Sequence, residues 1–476
     1  MAREVLKLHD LDFCSRPQLV CTSKYSYDNK DLAVAPYGDY WRKMRKICVV
    51  ELFSTARIAS FQSIREEEVS LLIESISSSL LVPVNLTEIV NSLTMNIICR
   101  VAFSKKNKPG DHKSSEFFRL FKEMQALLGS FFVADFFPLM GWVDKLTGLR
   151  ARLERNFREL DAFYEEVIDE HIDPKRVRTR QDIVDVLLHV QDNSLDLTRA
   201  HIKAVLMDIL TAGTETSSAT IIWAMAELAR NPSIRRRAQE EVRNAVGGSK
   251  ECVKEGDLNR LRYVKSVVKE TLRLHSPVPL LLLRESMRTC EVGGYQIEPK
   301  TRVYVNAWGI ARDPKTWEKP EEFWPERFMD SSIDVLGQSF ELIPFGSGRR
   351  VCPGLNLGMT TVELTLANLL HCFDWKLPNG IRTDDLDMDD APGLKLLLPI
   401  LGPAKLKKRK RITIQTPSRP KKASHNWKFA PTWFSLPPFP MAFVTEIWGL
   451  GAPPAWASSH PGRLLSGYGE ADPQAT

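Results

Sequence analysis

One uninterrupted helical pattern, from Thr198 to Asn231, dictates the scale of the fold. Apolar residues recur at three- and four-residue spacing, Thr198 is a suitable N-cap, and Asn231-Pro232 stops the run. About 34 residues at 1.5 Å each make a helix of roughly 50 Å. A helix of that length crosses a whole domain, so the rest of the chain must be wrapped around it. Further amphipathic patterns predict helices over Ala2–Leu8, Trp41–Val49, Ile58–Leu80, Leu86–Phe103, Ser114–Leu128, Leu149–His171, Ser233–Val246, Asp257–His275 and Pro353–Phe373. Between residues 284 and 305 the pattern changes to strands. Glu291-Val292 and Tyr295-Gln296-Ile297 flank a Gly293-Gly294 turn, and Arg302-Val303-Tyr304-Val305 follows. The expected class is mainly α with a small β-sheet region (α+β).

Composition narrows the setting. Apolar residues make up 43% of the 476 and charged residues 26%, enough for a large core and unlike a fibrous or disordered chain. No apolar run reaches the roughly 18 residues needed to span a bilayer. Phe131–Val143 is interrupted by Asp135, and Leu394–Leu401 contains Lys395. Met1-Ala2-Arg3-Glu4 is polar, so no targeting or anchoring segment is expected in the chain as written. The net charge of +6 is unevenly placed: 11 of the 65 basic and 3 of the 59 acidic residues lie beyond Gly402. Residues 1–402 therefore carry a net −2, and residues 403–476 also hold 11 of the 29 prolines without any helical or alternating period. The division expected is a catalytic domain over 1–402 and a basic, Pro-rich, disordered tail over 403–476. Lys405–Arg411 has the composition of a nucleic-acid patch. Sequence unrelated to the domain is the favoured reading, and no nucleic-acid partner is expected.

Eight cysteines are scattered without CxxC or metal-ligand spacing, which suits reduced thiols. Seven read as small buried hydrophobes. Cys352 differs, because it lies in Pro344-Phe345-Gly346-Ser347-Gly348-Arg349-Arg350-Val351-Cys352-Pro353-Gly354, directly before a helix. The glycines permit a tight loop with accessible N–H groups, and those donors with the helix start favour a thiolate of lowered pKa. Phe345 can shield the sulfur, and Arg350 can pair with an acidic group. The residues alone leave two readings open: an axial haem thiolate, with Arg350 on a propionate, or an anion-binding Gly/Arg loop.

The spacing F-x-x-G-x-R-x-C-x-G, complete from Phe345 through Gly348, Arg350 and Cys352 to Gly354, resembles the cytochrome P450 family. Three other places agree with it. Glu270-Thr271-Leu272-Arg273 is similar to the family's E-x-x-R, and Pro325-Glu326-Arg327-Phe328 to its P-E-R-F. The resemblance implies a buried structural triad of Glu270, Arg273 and Arg327. Trp41-Arg42-Lys43-Met44-Arg45 is similar to W-x-x-x-R, implying that Trp41 and Arg45 meet the haem propionates; by itself Trp41 fits ordinary core. The implied fold is that of a cytochrome P450, with haem b as cofactor and Cys352 as its metal ligand.

Within the long helix, Ala212-Gly213-Thr214-Glu215-Thr216 is a polar insert in apolar surroundings, costly unless used. With Gly213 it suggests a widened turn holding a water-accessible acid and hydroxyl. It is similar to the family's A/G-G-x-D/E-T. The implied roles are proton relay for Glu215, orientation of oxygen or its water for Thr216, and room for oxygen and substrate at Ala212 and Gly213.

Residues 2–394 resemble plant microsomal cytochromes P450 of specialised metabolism, notably in 9–17, 36–42 and 131–138. That implies insertion of one oxygen atom from O2 into a small lipophilic substrate. Electrons would come from NADPH through NADPH-cytochrome P450 reductase, with Arg42, Lys43, Lys46 and Arg349 as basic contacts. The implied setting is the cytosolic face of the endoplasmic reticulum membrane. Substrate contacts would come from the loop before Trp41, residues 131–141, the helix face 206–216 and residues 278–282. Rival readings are an isomerase or dehydratase acting on a peroxide or oxime, and a truncated chain without catalysis. The resemblance lacks the family's opening anchor, hinge and first strands, so residues 286–292 and 301–305 are expected to leave an exposed sheet edge.

Overall fold

The computed structural model describes residues 1–78, 84–106, 112–177, 180–193, 197–247 and 251–377, with 382, 383, 386 and 388. Leu80, Lys395–Pro403, the expected boundary at Gly402 and the tail 403–476 lie outside them.

Among the described residues there are ten α-helices of nine residues or more. They are α1 (Asp39–Ile47), α2 (Gln62–Ser78), α3 (Leu86–Phe103), α4 (His112–Leu128), α5 (Leu149–Ile172), α6 (Ile183–Asp192), α7 (Arg199–Arg230), α8 (Pro232–Val246), α9 (Arg262–Leu274) and α10 (Leu355–Cys372). The long helix is α7, and it forms the axis of the domain. It packs chiefly against α3 and α10, and is apolar on nearly every side, as a helix enclosed by others must be. Its start uses more than the Thr198 cap: the Thr198 N–H donates to His201 Nδ1 at 2.9 Å.

Two expected helices are broken. Phe61 turns into the core and separates Thr55–Ser60 from α2. A 3-10 turn over Glu255–Arg260 precedes α9, which starts where both carboxylate oxygens of Glu241 accept from Tyr263 N–H (2.7 Å) and Val264 N–H (2.9 Å). That cap comes from α8 and satisfies two donors the local sequence leaves open.

The sheet region is small. β1 (Arg284–Glu285) pairs antiparallel with β4 (Arg302–Val303), and β2 (Cys290–Val292) with β3 (Tyr295–Ile297). Gly293 and Gly294 have φ of +59° and +83°, the left-handed values the turn requires. The edge expected to be bare is partly covered. Glu285 N–H donates to Ser15 O at 3.0 Å and Met287 N–H to Asp12 O at 2.7 Å, while Val5, Leu6 and Phe13 join Val292, Val305 and Ile343 in a small second core.

His171, Asp182 and Asp185 converge in the interior. Arg176 already donates to Asp182 (3.0 Å) and Asp185 (2.7 Å), and His171 Nε2 lies 2.8 Å from Asp182. The positive charge that two buried carboxylates need is thus supplied by side chains, and the cluster is a structural ion-pair network joining α5 to α6.

Candidate functional site

The Cys352 loop is built around two left-handed glycines, Gly346 and Gly348, each at φ +72°. A Cβ on Gly348 would lie 2.2 Å from the Leu6 carbonyl oxygen, so no other residue fits there. Cys352 N–H donates to Phe345 O at 3.0 Å and closes the loop, and Asp10 accepts from Arg349 N–H at 3.2 Å. Gly354 has an ordinary φ, and a Cβ there would meet Phe53 Cε1 only at 3.9 Å; its use is its N–H, which with that of Leu355 faces the cysteine sulfur at the start of α10.

Cys352 keeps part of its surface open although protein surrounds it closely. Burial pushes its thiol up, against the pull of the Gly354 N–H, the Arg45 guanidinium and the Leu355 N–H. This corrects the expectation that loop and helix start alone would lower it: desolvation outweighs them. A sulfur so placed suits coordination to a cationic centre better than service as a free nucleophile.

Cations gather beside it. Arg45, half-buried at the end of α1, is coupled electrostatically to Cys352 and Cys48, and burial lowers its pKa. Arg350 is brought down to about 10 by burial, with the neighbouring cations Arg284 and Arg45 adding to the effect. Its guanidinium sits 4.2 Å over the Trp41 ring and donates to Cys14 O (2.8 Å), Leu32 O (3.2 Å) and Ala35 O (2.6 Å). Three of its five N–H groups therefore serve carbonyls. Trp41 gives its single N–H to Leu32 O at 3.0 Å. Both residues fix the 32–35 loop, a use that sequence reasoning did not foresee. A thiol facing N–H donors, with the half-buried Arg45 beside it and the buried Arg350 two residues before it, fits a metal-centred group bearing carboxylates. This is the donor set haem requires.

On α7, every residue from Ile202 to Ala229 is buried except Asp208, Thr211, Ala212, Gly213, Glu215 and Thr216. Five of these recur at i, i+3, i+4, i+7 and i+8 and so form one open stripe. α10 meets the helix beside it, where a Cβ on Gly358 would lie 3.8 Å from Ser217 Oγ. The widened turn is not seen: α7 runs through Gly213 without interruption, and Thr216 Oγ donates to Ala212 O at 2.5 Å. Nor does Gly213 simply make room over the site. A Cβ there would stand 2.6 Å from Ile98 Cδ1, so its smallness lets α3 approach.

Asp208 is the site residue the sequence reading passed over. Its Oδ2 accepts from Leu32 N–H (2.8 Å) and Ala33 N–H (3.1 Å). Burial and the charge of Asp31 raise it well above the usual carboxylate range, and burial raises Asp31 as well. The pair ties the 31–35 loop to α7 as Arg350 ties it to the cysteine loop. A lone acid four residues before Ala212 in an apolar run was the available signal. Arg16 completes the frame, donating to Ala33 O (3.0 Å), Leu282 O (2.6 Å) and Leu283 O (2.8 Å). Thus two of the expected substrate segments, before Trp41 and at 278–282, are joined. Asp135, from the third, accepts from Val20 N–H at 2.7 Å, and its carbonyl accepts from Arg302 at 2.6 Å.

The structure also brings Glu270, Arg273 and Arg327 together. Arg273 donates to Glu270 through Nε (2.7 Å) and Nη2 (2.9 Å), and Arg327 Nε donates to the same carboxylate at 3.1 Å. Glu270 and Arg273 are 0% exposed and the Arg327 side chain 7%.

A cytochrome P450 family model matches residues 1–403. The chain is 52% identical to cytochrome P450 71A9 of Glycine max, over 83% of this chain and 80% of that protein. It is 47% identical to strychnine-11-hydroxylase of Strychnos nux-vomica, over 83% and 78% respectively. A solved zebrafish cytochrome P450 structure with abiraterone superposes at a TM-score of 0.71 with 26% identity, covering 88% of this chain and 91% of that one.

Proposed function

The chain belongs to the cytochrome P450 family, and from that premise we propose that it oxygenates a small lipophilic plant specialised metabolite with electrons from NADPH-cytochrome P450 reductase. Cytochromes P450 of this kind are monooxygenases with haem and an axial cysteine thiolate. One observation carries the assignment to this site: Cys352, backed by the Gly354 and Leu355 N–H groups and Arg45, immediately precedes α10, the helix that packs on α7 next to its open stripe.

Haem, when bound, supplies the redox chemistry that activates O2. The residues do the rest. Cys352 gives up its thiol proton, and its sulfur is held by two N–H donors and faced by Arg45. Arg45 and the spare donors of Arg350 meet acidic groups. Thr216 holds its hydroxyl proton on the Ala212 carbonyl, which leaves its oxygen lone pairs free to accept from a water or reacting oxygen. Glu215, one residue earlier, moves protons toward it. The half-buried Thr211 and exposed Ala212 offer a contact face of small side chains. Thr216→Ala is expected to keep haem binding while product per NADPH consumed falls roughly 10–100-fold. Unchanged coupling sinks the role. The class itself is tested by the spectrum of the reduced, carbon monoxide-bound chain, where a thiolate ligand gives a strongly red-shifted Soret band.

We place the protein on the cytosolic face of the endoplasmic reticulum membrane, with Arg42, Lys46 and Arg349 toward an acidic reductase. No helix among the described residues is long and apolar enough to cross a membrane. Supporting surface contact, residues 136–146 expose Leu139 (96%), Leu146 (77%) and Trp142 (57%) beside Phe136, Phe137 and Met140. Leu139→Asp combined with Leu146→Asp should cut partition onto phosphatidylcholine vesicles about tenfold or more. Undiminished partition would remove this patch from the interface.

A further inference from the structure

Cys252 and Cys290 are not the buried hydrophobes their setting in the sequence implied: both are half-exposed. Cys252 also has a neighbour. Val253 N–H donates to Asn368 Oδ1 at 2.9 Å, Asn368 Nδ2 donates to Val253 O at 3.1 Å, and Cys372 Sγ lies 3.5 Å from Glu251 O. Asn368 and Cys372 stand one turn apart on α10. The residues on either side of Cys252 are therefore pinned to the helix face that carries Cys372, so the two cysteines are neighbours in space.

We propose that Cys252 and Cys372 form a peroxide-sensitive dithiol, with Cys252 the attacking thiol, Cys372 the resolving one, and a reversible disulfide stapling the 251–253 segment to the last turn of α10. The division of labour follows from burial. Cys372 is 6% exposed and out of reach of a dissolved oxidant, whereas Cys252 is accessible. Chemistry points the same way. The Cys372 thiol, the Ser70 hydroxyl and the Lys254 ammonium bring Cys252 down to about 6 against the opposing effect of burial. Cys14, Cys21, Cys48, Cys290 and Cys352 are all raised, chiefly by burial. Cys252 is thus the thiol inclined toward the thiolate, the form that reacts with peroxides.

The steps balance with a hydroperoxide as oxidant. The Cys252 thiolate attacks hydrogen peroxide: an S–O bond forms, the O–O bond breaks, and hydroxide leaves and is protonated. Cys252 is now a sulfenic acid. The Cys372 sulfur loses its proton and displaces the sulfenic oxygen, so an S–S bond forms and water departs. Two thiols have given up two electrons and two protons, and one peroxide has become two waters; a thiol reductant reverses this. The staple closes at one end of α10, the helix whose other end directly follows Cys352.

The test uses the full haem-loaded chain, treated with hydrogen peroxide, denatured, alkylated and digested. A peptide pair joining Cys252 to Cys372 is expected, two hydrogens lighter and lost on adding dithiothreitol, with Cys290 still open to alkylation. In Cys372→Ala, Cys252 should stop at a sulfenic acid captured by dimedone. In the untreated chain, alkylation of Cys252 should be half-maximal near pH 6, and that of Cys290 at a higher pH than for an ordinary thiol. Peroxide treatment that leaves Cys372 free, or a Cys252 alkylation midpoint in the ordinary thiol range, overturns the proposal.

Discussion

Cys352→Ser should remove the red-shifted Soret band of the reduced carbonyl complex and reduce NADPH-dependent product formation to background, while the chain still folds. Serine is nearly isosteric with cysteine, and the loop is fixed by groups the substitution leaves untouched: the Cys352 N–H on Phe345 O, Gly348 against Leu6, and Arg349 on Asp10. The expected stability change is below about 1 kcal/mol. What changes is the donor. The Gly354 and Leu355 N–H groups and Arg45 assist an anionic sulfur against the burial that raises it. A hydroxyl begins several pKa units higher in the same surroundings, and so stays neutral. Haem content by pyridine haemochrome, the carbonyl spectrum and melting temperature separate the outcomes. A variant with the red-shifted band intact would show that another residue ligates, and the assignment of Cys352 would fall.

How much could be foreseen differs by scale. The long helix was legible to within one residue at each end, because its signals are local: a Thr cap, unbroken periodicity, an Asn-Pro stop. The hairpin was legible for the same reason, since two adjacent glycines admit few turns. α6 was missed although its Asp182 and Asp185 form a capping box, a local signal overlooked in a charged stretch. The α9 start was not local at all, because its cap, Glu241, is supplied by α8. The breaks at Phe61 and Leu261 have the same origin, tertiary packing prevailing over a continuous period.

In the site, residues defined by backbone geometry or by a unique donor atom were legible: Gly348, which excludes any Cβ, and Cys352. Residues whose use depends on what lies opposite were not. Arg350 and Trp41 also hold the 32–35 loop, and Gly213 also admits Ile98, uses that no local pattern announces. Asp208 and Asp31 lie 177 residues apart in sequence, and only the fold makes them a buried acidic pair.

The largest loss of stability is expected from Glu270→Ala. Glu270 is completely buried and accepts from Arg273 twice, from Arg327, and from Trp324 N–H at 2.8 Å. Its removal leaves two guanidinium groups and an amide without their anion. Arg273 would still donate to Ala311 O, Pro320 O and Glu322 O, but its charge would be uncompensated in a site closed to water. Breaking a buried pair in this way costs about 3–5 kcal/mol, a large share of the roughly 5–15 kcal/mol that holds a domain folded. The local consequence is specific. Residues 311–327 are clamped to α9 by this carboxylate and by Arg327 between Trp317 and Trp324, and the chain runs from them through residues 328–343 to the cysteine loop. Haem content should therefore fall along with melting temperature. Arg273→Lys keeps the charge but has at most three donors where arginine places five bonds, so an intermediate loss is expected. Arg119→Ala, at an exposed pair with Glu159, should change neither measurement. A Glu270→Ala chain with full haem content and an unchanged melting temperature would show that the clamp is dispensable, and that the cysteine loop is held by its own contacts with Leu6, Asp10 and Phe345 alone.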